Sequence, residues 1–148
     1  MTTPPECELR ELPMTEDNIL TPSGWMRGRL VHEHGKVVAI DGTPCDPADN
    51  DLPYLLPGFI DLHVHGGGGA DIMEGAGAFE TITRTHVRFG TTSLLATTMT
   101  APVEEISHVL GELGTFCEQR PAGSARVLGV HLEGPYINPG KLGAQPNF

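Results

Sequence analysis

The chain has 148 residues, the size of one ordinary domain, able to bury about two thirds of its extended surface on folding. Its 39% hydrophobic and 19% charged residues are a globular composition, and 19 Gly with 13 Pro predict many turns. A formal charge of -10 argues against nucleic-acid and anionic-membrane partners, which select Lys and Arg, and leaves small molecules or other subunits.

Residues 1–25 are rich in Pro, Thr and Glu without sustained periodicity and read as a poorly ordered arm. Pro4, Pro5, Glu6 and Glu8 replace the basic and then apolar run of a leader, so neither signal nor transit peptide is expected. Two short β-rich segments, residues 29–32 and 36–40, flank His34-Gly35, where Gly supplies the positive φ of a tight hairpin. A small antiparallel layer is expected there. A polar stretch, residues 41–51, leads into Leu55-Leu56-Pro57-Gly58-Phe59-Ile60-Asp61-Leu62-His63-Val64-His65, which alternates after the Pro-Gly and reads as a strand emptying into Gly66 to Gly69.

The period then changes. Phe79, Ile82, His86 and Phe89 recur at spacings of three and four, with Gly90 as a stop signal, which predicts a helix. Residues 91–98 are β-branched and apolar, a second strand, and Pro102 stands at a helix start. Val103, Ile106, Val109, Leu110, Leu113 and Phe116 mark one face of that second helix, and residues 126–132 are a third strand. Strand, helix, strand, helix, strand implies parallel crossovers and an α/β layer, with barrel and open sheet both compatible. No stretch reaches the roughly 18 apolar residues of a membrane span.

Side chains two apart on a strand share a face, so Asp61, His63 and His65 are expected to project together while Ile60, Leu62 and Val64 face the helices. Neutral imidazoles at that spacing can reach one metal ion or a bridged pair. An arbitrary His-x-His more often packs at a strand end, but the glycine-rich exit lets backbone approach a ligand and favours a site. Asp61 fits either an orienting role on an imidazole or a structural hydrogen bond. On the third strand Leu128, Val130 and Leu132 share one face and Gly129, His131 and Glu133 the other. Glu133 then stands at the carboxyl end of its strand, as His65 does, the edge where parallel α/β folds build sites. A lone carboxylate there would be a solvated loop residue; with two His at the equivalent end of another strand a shared metal is the stronger account. His131 reads as lining or hydrogen-bonding rather than ligating, and His32, His34, His86 and His108 as surface or packing residues.

Gly66 to Gly69 lacks the Lys-Ser/Thr ending of a phosphate-binding P-loop, and Ser93 and Ser124 lack a nucleophile-elbow context. Cys7, Cys45 and Cys117 are odd in number, far apart and beside no base, which predicts no disulfide framework, no zinc ribbon and no cysteine nucleophile. A reducing cytoplasm is the simplest setting.

The string Leu56-Pro57-Gly58-Phe59-Ile60-Asp61-Leu62-His63-Val64-His65-Gly66 resembles the first barrel strand of the amidohydrolase superfamily. Together with Gly90-Thr91-Thr92, Gly129-Val130-His131-Leu132-Glu133-Gly134-Pro135 and Gly143-Ala144, it resembles in particular the N-acetylglucosamine-6-phosphate deacetylases. The likeness runs from residue 26 to Phe148, and His131-Leu132-Glu133-Gly134-Pro135 is its most selective part.

That resemblance implies a (β/α)8 barrel joined to a small β-sandwich, with residues 26–56 in the sandwich and 57–148 carrying the first three barrel strands. It implies that Glu133 binds metal, with His63 and His65 matching the pair of members that hold two ions. A divalent ion, zinc or a relative, one or two in number, is the implied cofactor. Gly143, Ala144 and Gln145 match a substrate-contacting loop, Gln145 standing where the family often has His. The implied reaction removes acetate from an N-acetylated amino-sugar phosphate, with a general-acid aspartate, two further His ligands and most phosphate contacts expected downstream of Phe148. Dimers are usual in the resembled family. No catalytic acid or base is therefore expected within these residues, and the 148-residue chain is expected to be the N-terminal part of a deacetylase that binds metal weakly and does not turn over alone, since a barrel takes about 250 residues. Two alternatives stand beside it: another amidohydrolase such as a dihydroorotase-like cyclic amidase, and a non-catalytic metal-binding or interaction module.

Overall fold

The structure is a computed structural model in which residues 16–147 are described. It divides into two compact units, Met1–Pro57 and Gly58–Phe148.

The first unit is a four-stranded sheet in the order β3-β2-β1-β4, with β1 Asp17–Thr21, β2 Gly24–Glu33, β3 Lys36–Pro44 and β4 Tyr54–Leu55. The expected hairpin forms at His34-Gly35, whose φ values of 50 and 74 close a two-residue turn between the paired Glu33 and Lys36. Its strands run further than the residue pattern predicted, to Gly24 and Pro44. Residues 17–25, expected to belong to the arm, instead form a hairpin: β1 runs antiparallel to β2 from Asp17↔Gly28 to Thr21↔Gly24, with a turn at residues 22–23. The reason is local, because Ile19 buries to 3% exposure and Thr21 Oγ1 both donates to Gly24 O and accepts from Ser23 N–H. The rest of the expected arm, with Cys7, lies outside the described residues. The polar stretch after β3 is held by Asn18, wholly buried, which donates to Asn50 Oδ1 at 2.9 Å and Leu52 O at 3.1 Å and accepts from Asn50 Nδ2 at 3.2 Å. Every polar group of that amide is therefore used, as burial requires.

The second unit is α/β, as the alternating periods predicted. Strand β5 (Phe59–Val64) is followed by the small hairpin β6 (Gly66–Gly67) and β7 (Ala70–Asp71), helix α1 (Ala76–Val87), β8 (Thr91–Thr97), α2 (Val103–Gln119) and β9 (Arg126–His131). The parallel sheet has the order β5-β8-β9, which puts β8 in the middle. Phe79 and Ile82 of α1, Val109, Leu113 and Phe116 of α2, Leu94 and Ala96 of β8, and Val64 and Val127 form one buried cluster. Each of these side chains larger than Ala96 contributes roughly 1.5–3 kcal/mol relative to exposure.

Four expectations about faces need correction. Helix α1 ends at Val87, so Phe89 lies in the following turn and is 76% exposed. Val103, the first residue of α2, is exposed before the helix reaches the sheet. Ile60 and Leu62 do not pack under the helices: β5 is an edge strand with two register breaks, and only Val64 reaches the core. On β9, Val127 pairs with Leu94 but Gly129 with Leu95, which makes Leu128 the extra residue of a bulge. That bulge lets Val127 and Val130 both pack on the cluster while Leu128 and Leu132 stay exposed.

Candidate metal centre

The three parallel strands end side by side at Val64, Thr97 and His131, and the candidate site is built on those ends. In β5 three residue steps, Asp61 to Val64, oppose two in β8, Leu94 to Ala96. The extra residue takes Val64 N–H off the ladder, and it donates instead to Thr97 Oγ1 at 2.9 Å. Asp61 Oδ1 accepts the backbone N–H of His63 at 3.0 Å, so its bond is to the main chain of a candidate ligand rather than to an imidazole. Glu133 follows β9 by two residues, and its N–H donates to Thr98 Oγ1 at 3.1 Å.

His63, His65 and Glu133 converge. Glu133 Oε2 lies 3.3 Å from His63 Nε2 and 3.0 Å from His65 Nε2, and the two Nε2 atoms are 3.1 Å apart. Among the described residues this is the one group of three such side chains close enough to share an ion. Donors about 2.0–2.1 Å from a tetrahedral zinc stand about 3.3 Å from one another, so the three spacings fit a single ion. Glu133 Oε2 is buried and accepts no hydrogen bond despite its two close nitrogens, and His65 Nδ1 is likewise buried without a partner. A carboxylate oxygen that accepts no hydrogen bond, packed this closely against two imidazole nitrogens, is the donor set a divalent cation would satisfy.

His131 stands beside this trio rather than in it. Its ring meets that of His63 edge-on at 4.7 Å, and its Nδ1 lies 3.2 Å from the carbonyl of Leu62, a distance at which that nitrogen must carry the proton. Gly143, Ala144 and Gln145 lie in a short turn closed by Gln145 N–H on Leu142 O. Gln145 is half-buried: Oε1 accepts Thr100 N–H at 2.8 Å and Nε2 lies 3.6 Å from Met99 Sδ. Its amide ties the turn to the loop after β8, leaving Gly143 and Ala144 exposed.

The glycine-rich exit has another use than close approach to a ligand. Gly68 and Gly69, at φ 65 and 84, turn the β6–β7 hairpin back onto α1, where His86 Nε2 lies 3.0 Å from Gly66 O. A Cβ on Gly68 would collide with Thr85 Oγ1. These glycines admit a helix. Cys117 is half-buried, and burial pushes its thiol up, so it is no ready nucleophile. A groove of about 470 Å3 on the first unit is polar, with Arg27 paired to Glu16 and Arg29 to Asp41. The residues that reading by chemistry missed are Thr97 and Thr98, which were legible only as β-formers.

Residues 54–142, more than half of the chain, match the family described as "Amidohydrolase family". The chain belongs to the amidohydrolase family. Among curated relatives, this amidohydrolase chain is 38% identical over 130 residues to N-acetylgalactosamine-6-phosphate deacetylase of Escherichia coli O157:H7, a match covering 86% of this chain and 34% of the relative. It is 44% identical over 105 residues to N-acetylglucosamine-6-phosphate deacetylase of Bacillus subtilis (strain 168), covering 68% of this chain and 25% of that one. The crystal structure of N-acetylglucosamine-6-phosphate deacetylase from Thermotoga maritima superposes with a TM-score of 0.74 at 34% identity, covering 88% of this chain and 34% of the other. The amidohydrolase chain thus spans a quarter to a third of the length of these relatives.

Proposed function

We propose that this chain carries the first part of the metal centre of a deacetylase acting on an N-acetylated hexosamine 6-phosphate, N-acetylglucosamine 6-phosphate in the first place. The observation that carries the reading is the convergence of His63, His65 and Glu133 to within about 3 Å at the ends of two parallel strands. The likeness to deacetylases for both the gluco and the galacto sugar supports the acetamide and the phosphate as the common substrate features. A divalent ion, zinc or a relative, would supply Lewis acidity at this point, lowering the pKa of water and polarising the acetamide carbonyl.

This chain's own residues would hold and orient. His63 and His65 present Nε2 and Glu133 presents Oε2, while His131 packs on the ring of His63. The turn at Gly143 and Ala144 would contact substrate through backbone, with Gln145 anchoring it to Thr100. Among the described residues there are three parallel strands against the eight of a closed barrel, and the group that would protonate the leaving amine is proposed to lie outside them. A complete protein of this kind is proposed to be a cytoplasmic homodimer. Among the described residues no helix is long and apolar enough to cross a membrane.

The test is zinc titration of the chain by calorimetry beside acetate release from N-acetylglucosamine 6-phosphate. Zinc binding that disappears in Glu133→Ala, without turnover by the chain alone, is the expected result. Zinc binding unchanged in Glu133→Ala would remove the proposed centre, and acetate release by the chain alone would show that no further polypeptide is needed.

A further inference from the structure

Thr97 ends the central strand and Thr98 follows it, and each meets a different neighbour that bears a candidate ligand. Thr97 and Thr98 are both 0% exposed. We propose that they are positioning residues for the metal ligands, Thr97 fixing the bulged backbone between His63 and His65 and Thr98 fixing the backbone of Glu133. This inference rests on the metal centre proposed above.

The backbone ladder of β5 fails at its bulge. Val64 is 4% exposed, and a buried N–H must find an acceptor. The bulge of β5 takes its N–H off the strand ladder, and Thr97 Oγ1 accepts it at 2.9 Å. Strand side chains alternate with a period of two, so a β5 that lost its bulge would slip by one residue and turn its side chains to the other face. Thr97 thereby keeps both imidazoles directed at Glu133. On the other side the last main-chain bond runs from Thr98 N–H to His131 O at 3.1 Å. Past it, Thr98 Oγ1 accepts Glu133 N–H at 3.1 Å and lies 3.4 Å from Glu133 O, within donating distance. One hydroxyl thus holds both backbone groups of the ligand residue. Metal sites tolerate ligand displacements of about 0.2 Å, so the placement of these two backbones matters more than their contribution to folding.

Valine keeps the shape of threonine and removes the hydroxyl. For Thr97→Val and Thr98→Val zinc affinity is expected to weaken roughly 10- to 100-fold, the usual effect of losing a group that orients a ligand. Thr98→Ser should restore it, and the visible band of the cobalt-substituted chain should weaken in Thr98→Val and recover in Thr98→Ser. Melting of the metal-free variants reads any purely structural contribution separately. Zinc affinity and the cobalt band unchanged in both valine variants, with only melting lowered, overturns the inference while leaving the metal centre intact. A wild-type chain that binds no zinc overturns the metal centre and the inference together. If the valine variants do not fold, amide hydrogen exchange of the wild-type chain decides: slow exchange at Val64 and Glu133 supports the two hydroxyl bonds, and exchange at the rate of an open amide overturns them.

Discussion

Glu133 concentrates the chemistry of this chain in one atom. Its Oε2 is buried, lies within 3.3 Å of two imidazole nitrogens and accepts no hydrogen bond, so a cation held between the three would give it the partner that hydrogen bonding does not. Metal binding should therefore stabilise the fold measurably. At a hundredfold excess of zinc over its dissociation constant the stabilisation is about 2.7 kcal/mol, and the melting temperature of the second unit should rise by roughly 10–20 °C. Scanning calorimetry with and without zinc checks this; a chelator should reverse the shift, and His65→Ala or Glu133→Ala should abolish it. The convergence of His63, His65 and Glu133 was legible in the sequence because imidazole and carboxylate fell at the ends of strands expected to lie in one sheet. Thr97 and Thr98 were not, because a threonine in a strand looks the same whether its hydroxyl meets solvent or, as for Thr98, a backbone 35 residues away. His131 and Asp61 fall between: the sequence put them near the site, but only coordinates tell that one bonds Leu62 O and the other His63 N–H.

At the scale of elements, the change of period from two to 3.6 and back was enough to find both helices and the three parallel strands. What it did not reveal were the bulges. A bulge is one extra residue whose signature is a pairing with another strand, and alternation read along β9 alone puts Leu128 with Val130, whereas pairing puts Val127 with Val130. A second feature set between elements is the start of α1. Its N-cap, Gly75, has no capping side chain, and Ala76 N–H donates instead to Glu112 Oε2 of α2 at 2.8 Å. A carboxylate there completes an orphan donor and meets the positive end of the helix dipole. Glu112→Ala should lower stability by about 1–2 kcal/mol, the range for losing a cap, whereas Glu112→Gln should lose less because it keeps the acceptor. Urea unfolding of the two variants separates them, and equal losses would mean that charge rather than the bond matters. Gly68→Ala tests the neighbouring hairpin: φ 65 and the Thr85 hydroxyl both oppose a Cβ, so a loss above about 1 kcal/mol is expected.

For the molecule as a whole, the α/β class of the second unit and its parallel crossovers followed from sequence because such connections leave few topologies. Burial did not follow, since it depends on what covers each face. Ile60 and Leu62, each 61% exposed, and Leu128, 45% exposed, lie on the two edge strands of a three-stranded layer. Runs of exposed apolar side chains beside unpaired strand edges are the ordinary route to association, and the chain's net charge of -10 opposes it only at low ionic strength. The chain on its own should therefore bind the dye ANS in its native state and sediment above 15.8 kDa as salt is raised. Placing charge on both edges with Ile60→Lys and Leu128→Lys should lower dye emission and return sedimentation to the monomer. Neither residue belongs to the trio of His63, His65 and Glu133, so zinc affinity should persist in the double variant. If dye binding and association persist in it instead, the sticky surface lies elsewhere, and the edges of this sheet are already protected in the isolated chain.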